Sequence, residues 1–239
     1  MAYGVLAAAL VGYLAVVTPW LGCRTYDRLV ADRDRDPGAL VRLYRLWIGE
    51  SWAVTAAALA VAWLVPGLDA AGIGLRLGGD PSTIVGVIAG LVLVMAMSAI
   101  TARKAPGGGT PFGMPQAAFA RYAALLPRTS AERWHAAAMS VTAGVCEEIV
   151  YRGVLIALGT RLLGLPVPVA AVLALALFVA GHLYQGVTGL ATSALAGGSL
   201  TLLYLITGSL LLPILVHIAV DLRSLLLARY GEAATTVPG

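Results

Sequence analysis

The chain has 239 residues, 59% of them hydrophobic and only 12% charged, with a net charge of +4 and a mean hydropathy of +0.87. Soluble domains carry about 25% charged residues, and this chain contains several runs near the ~20 apolar residues that a membrane-crossing helix needs, so a soluble globular domain is set aside. Its basic residues fall between the apolar runs instead of forming a stripe, which argues against nucleic acid as a partner.

Tyr3 to Leu21 reads as a first transmembrane helix, because it lacks the basic flank and the small-residue cleavage site of a signal peptide. Cys23 to Arg45 then carries six arginines against four aspartates, and Asp32 to Asp36 followed by Pro37-Gly38 predicts a solvated turn at the membrane surface. Trp47 to Val65 is a second span, with Glu50 near its start and Trp47, Trp52 and Trp63 towards its ends as interfacial anchors. Ile84 to Ile100 is a third. Between Arg103 and Arg133, the glycine-rich run from Lys104 to Pro111 reads as a connector, and Gln116 to Leu126 as a short interfacial helix.

Thr129 and Glu132 form a capping box that starts a long helix from about Trp134 to Leu158. Val167 to Tyr184, Leu190 to Ile206 with a bend at Gly197-Gly198, and Ser209 to Leu227 complete the set. The expected fold is all-α, a polytopic membrane bundle of about seven transmembrane helices plus the interfacial helix, with no internal repeat. Loops one and three hold six and five Lys/Arg, while those after spans two and four hold one each, Arg76 and Arg161. By the positive-inside rule the N-terminus lies outside and the C-terminus in the cytoplasm. Cys23 and Cys146 lack metal-binding spacing and read as free thiols.

The chemistry concentrates in the second half. Glu147, Glu148 and Arg152 lie within one apolar helix, where each charge costs about 2.5–3.5 kcal/mol and calls for a partner. Residues four apart share a helix face, so Glu148 and Arg152 pair and neutralise each other, while Glu147 points about 100° away towards a different neighbour. Phe178 and His182 share a face in the next helix, and His217 and Asp221 do so in the last. A lone membrane histidine or a single ion pair is commonly structural. His135 beside Trp134 reads as interfacial, and Cys146 is a nucleophile only if a histidine faces it. The combination is what points to chemistry. A glutamate in an apolar setting suits water activation, and imidazoles nearby can hold the water, protonate a leaving amine or stabilise an oxyanion. Two histidines and a glutamate are equally a zinc ligand set, and the residue types alone leave both open.

Glu147-Glu148-x-x-x-Arg152, Phe178-x-x-x-His182 and His217-x-x-x-Asp221, in this order, resemble the CPBP family, which comprises type II CAAX prenyl endopeptidases and bacterial bacteriocin-processing (Abi) proteins. The resemblance covers roughly Thr129 to Arg223. It implies an intramembrane endopeptidase acting on a membrane-associated protein or peptide, in which Glu147 activates water with His182 as its partner. His217 and Asp221 would stabilise the oxyanion, while Glu148 and Arg152 brace the helix, with Phe178 in support. If the reaction is metal-dependent, Glu147, His182 and His217 would hold a zinc ion; no cofactor is firmly implied. The prenyl-protein proteases carry His-x-x-x-Asn at the last motif. Asp221 departs from that, drawing the chain towards the Abi branch and away from prenylated substrates. The expected organisation is N-terminal transmembrane helices over 1–128, a catalytic CPBP/Abi-like core over 129–230 and a tail over 231–239, in a bacterial plasma membrane. Two other readings use the same residues: an idle scaffold or immunity protein of this fold, and a proton-coupled transporter.

Overall fold

The computed structural model describes residues 2–227 except 77, 79, 83, 91 and 93–121. Apolar sequence without β-branched alternation folds here into helices, with backbone polar groups satisfied within each segment as a bilayer demands. Ala2–Gly12, a π-helical turn at Tyr13–Val17 and Thr18–Asp32 run on as one helix, α1. Helix α2 is Ala39–Trp63. Helix α3 is Ser130–Glu147, continued by a π-helical segment Glu148–Leu155 and by Ile156–Leu163. Helix α4 is Val167–Gly181, followed by a 3₁₀ turn Leu183–Gln185. Helix α5 is Gly186–Thr207, and α6 is Leu211–Leu222 with a π-helical end Arg223–Leu227.

Among the described residues there is no strand. Within these described residues three stretches are long and apolar enough to cross a membrane, namely Tyr3–Asp32, Ala39–Trp63 and Leu183–Thr207. Val167–Gly181 is apolar but shorter. The expected span from Ile84 to Ile100 is described as helical over 84–90 and otherwise falls mostly outside the described residues. Most of the interfacial helix expected over Gln116 to Leu126, the Lys104 to Pro111 connector and the tail over 231–239 also lie outside them.

Four local expectations are corrected. The arginine-rich stretch from Cys23 is helical as far as Asp32, so the connection to α2 shrinks to residues 33–38. Arginine is a good helix former, and its charge did not end the helix. Helix α2 starts at Ala39 rather than near Trp47. Trp47 therefore sits two turns inside, donating to Thr25 Oγ1 at 3.0 Å and lying 5.1 Å from the Tyr184 ring, instead of anchoring at an interface. Trp63 is 83% exposed at the helix end, as an anchor would be. Helix α5 runs unbroken through Gly197 and Gly198.

Arg33, expected in a solvated turn, is buried. Its guanidinium reaches Glu132 with two bonds of 2.8 and 3.1 Å, and the carbonyls of Ala124 and Leu126 at 3.0 and 2.9 Å. Glu132 also completes the expected capping box with Thr129. Burial pushes the Glu132 carboxyl up, but Arg33 and the N–H groups of Arg128 and Thr129 outweigh it and hold the group below its ordinary value. This clasp fixes the α1–α2 turn against the start of α3. At the opposite end, the Leu210 N–H donates to the Gly74 carbonyl at 2.9 Å. The Ser209 hydroxyl donates to the Arg76 carbonyl at 2.6 Å, fixing where α6 begins.

Candidate functional site

The site is built where α3, α4, α5 and α6 meet. Gly144, one turn before Glu148, lets α6 approach closely: a Cβ there would stand 2.5 Å from Ile218 Cγ1 and 2.9 Å from its backbone nitrogen. That approach brings His217 to the two glutamates. Small residues serve this purpose at helix interfaces in membranes, where the backbones must come together.

Glu148 and Arg152 are fully buried. Arg152 Nη1 donates to Glu148 Oε1 at 3.0 Å, Nη2 to the Gly197 carbonyl at 3.0 Å, and Nε reaches Thr201 Oγ1 at 3.3 Å. The Phe178 ring covers the guanidinium at 4.3 Å. Gly197 makes room for that ring, since a Cβ there would sit 2.7 Å from Phe178 Cε1. The expected Glu148–Arg152 brace is therefore present, and it holds three helices together instead of one. Thr201 and the Gly197 carbonyl are members that motif spacing does not reveal.

His217 Nδ1 lies 2.7 Å from Glu148 Oε1. A carboxylate already accepting from arginine is an acceptor, so the ring proton is assigned to Nδ1 and Nε2 turns to the cavity. There it stands 3.9 Å from Glu147 Oε2 and 3.7 Å from Asp221 Oδ2. His217 thus faces both glutamates, whereas sequence spacing assigned them different neighbours. Glu147 is the last residue before the π-helical segment, and π segments recur at functional sites because they turn side chains off the regular helical rows. Its Oε2 is buried without a hydrogen-bond partner.

His182 does not lie within a helix. It caps α4, with Nδ1 at 2.8 Å from the Phe178 carbonyl, one of the acceptors that a helix end leaves open. A carbonyl only accepts, so Nδ1 carries the proton, and Nε2 of the neutral ring is a lone-pair acceptor. Its ring packs 4.5 Å from that of Phe178.

Glu147, His182, His217 and Asp221 all line one cavity of about 180 Å³. Phe178 and the Glu148–Arg152 brace stand behind that wall. The N-terminal helices form the opposite wall through Thr18, Trp47 and Glu50, and Tyr13 donates to Glu50 Oε1 at 3.1 Å. Both cysteines are free thiols, as expected; Cys146 is buried beside a smaller cavity of about 70 Å³ that Glu147 also lines. His135 is half-buried and bonded to its own helix at the Ala131 carbonyl. The zinc set fits poorly. Among the described residues no three His, Cys, Asp or Glu side chains converge as metal ligands, although His182 and His217 each keep Nε2 free of the bonds that hold Nδ1.

This is a polytopic helical membrane protein with a carboxylate–imidazole site in its C-terminal half. Residues 129–223, less than half of the chain, match the family model of the Rce1-like type II CAAX prenyl endopeptidases, which supports a CPBP family protease. All three motifs fall inside the matched stretch. Comparison with curated proteins and with solved structures finds no match.

Proposed function

We propose that the chain is an intramembrane endopeptidase that hydrolyses a peptide bond in a membrane-associated protein or peptide, with Glu147 activating the water. The observation that carries this reading is the buried, unpartnered Glu147 Oε2 facing His217 Nε2 in a cavity that His182 shares. An uncommitted carboxylate oxygen is costly to bury without a task.

The chemistry follows from these groups. Glu147 takes a proton from a water molecule, whose oxygen attacks the scissile carbonyl carbon. The resulting oxyanion needs N–H donors in a water-poor site. His217 enters the reaction as the imidazolium, having taken its Nε2 proton from solvent before the substrate binds, and is such a donor, while Glu148 fixes its ring from behind. Asp221 stands on the same Nε2 and stabilises the imidazolium. The lone pair of His182 Nε2 holds the attacking water, and the proton on Glu147 passes to the leaving amine as the C–N bond breaks. Arg152 is spent on Glu148, Gly197 and Thr201 and does not line the cavity.

The reading needs no metal. Elemental analysis of active protein is expected to find substoichiometric zinc, with activity surviving chelators; stoichiometric zinc with loss on chelation would contradict this. The function is tested by Glu147→Ala in purified, folded protein, which should abolish cleavage. Retained cleavage would sink the proposal. An idle scaffold of the same fold would be favoured if a Glu147→Ala, His182→Ala double variant restored the cellular phenotype of a deletion.

A further inference from the structure

Helix α2 places a third carboxylate on the cavity. Glu50 lies 11 residues beyond Ala39, where the helix starts, hence about 16 Å along its axis, past the exposed Arg42 and Arg45 and within the apolar stretch that follows them. A carboxylate at that depth normally has a cationic partner or a ligand. Among the described residues Glu50 makes no ion pair. It is held instead by the Tyr13 hydroxyl at 3.1 Å, which fixes the carboxylate without neutralising it. It lines both cavities, in each case together with Glu147, Thr18, Ser51 and Tyr151.

The rest of the larger cavity has the same sign. Among the described residues its acidic lining is Glu50, Glu147 and Asp221, its imidazoles are His182 and His217, and no lysine or arginine lines it. Arg152, behind the cavity wall, is turned away and spent on Glu148, Gly197 and Thr201. Trp47 and Tyr44 line the same cavity and offer aromatic surface to an alkyl stem or a cation.

We infer that Glu50 is a specificity-determining residue, whose carboxylate receives a basic side chain, lysine or arginine, at one fixed position beside the bond that is cut. This inference rests on the peptidase reading and names the substrate class for it. A basic group gains an ion pair in a water-poor cavity, whereas an acidic one meets repulsion from Glu50 as well as from Glu147 and Asp221. Tyr13 acts as a positioning residue, since it touches Glu50 and not the substrate.

The test uses full-length protein in lipid nanodiscs and a synthetic library of apolar peptides randomised at the positions around a central bond, with products read by mass spectrometry. Wild-type protein should cut peptides carrying Lys or Arg at one position about tenfold more often than those carrying Asp or Glu there. Glu50→Gln should bring that ratio near one, and Glu50→Lys should invert it. A wild-type ratio near one, or a basic preference that survives Glu50→Gln, overturns the inference while leaving the peptidase reading intact. No cleavage by wild-type protein overturns both. A second measurement needs no variant: replacing the selected lysine of a cut peptide by norleucine should slow its cleavage about tenfold, and an unchanged rate overturns the inference.

Discussion

Arg152 is the side chain whose loss should cost the fold most. Removing it leaves buried Glu148 with His217 alone as a partner and frees the Gly197 carbonyl and the Phe178 ring face. Breaking a buried pair in this way costs about 3–5 kcal/mol, so Arg152→Met should lower the melting temperature in detergent sharply, beyond any effect on activity. Glu147→Gln should leave the melting temperature nearly unchanged, because Glu147 Oε2 has no bond to lose. The contrast separates a brace from a reacting group. The pairing of Glu148 with Arg152 was legible from their four-residue spacing. That His217 would bridge both was not, because the meeting depends on α6 approaching at Gly144, and a long-range approach leaves no mark in local spacing. Glu50 was visible as a charge in an apolar run. Its place mid-helix became clear only with the true start of α2.

Two glycines and a π-helical segment decide whether these helices assemble into a site. A Cβ at position 197 would strike Phe178 and Leu175 at 2.7 and 2.9 Å. Overpacking of this kind costs about 1–3 kcal/mol, so Gly197→Ala should destabilise the protein and lower turnover together, by pushing Phe178 off Arg152. Thermal melts with paired activity assays would show it; unchanged values for both would contradict the packing account. The sequence suggested a bend at Gly197-Gly198, since glycine weakens a helix. Close contact with α4 supplies another use for the same residue, and the helix stays whole. The π-helical turns left no readable signal, because their sequences are as apolar as the α-helix around them. The capping box at Thr129 and Glu132 was legible because its chemistry is local; the long-range Arg33 partner was not. Glu132 is held below its ordinary value of 4.5, so its contribution is present above that value and is lost as pH falls through the lower folded value. The melting temperature should therefore drop on acidification below about pH 4.5, and Glu132→Gln should flatten that drop. An identical acid profile in the variant would rule the clasp out as its cause.

The molecule is an all-helical membrane protein whose two halves face each other across one cavity. The C-terminal half lines it with Glu147, His182, His217 and Asp221, and the N-terminal half with Glu50. Composition was enough for the fold class, because a bilayer permits so few solutions. The span count is less direct, since charged helices such as α3 fail a simple test of apolarity while carrying the site. Orientation is a further expectation: with Cys23 and Cys146 replaced by alanine, Asp34→Cys should react with an impermeant maleimide in inside-out vesicles and not in intact cells. Reaction in intact cells would reverse the topology. The central claim is that Glu147 activates water for peptide-bond hydrolysis. The most direct measurement labels new protein N-termini in membranes of cells producing wild-type or Glu147→Gln protein and compares them by mass spectrometry. A set of termini present with wild type and missing with Glu147→Gln, at equal protein levels, is the predicted result; the same termini in both, or none in either, would contradict it.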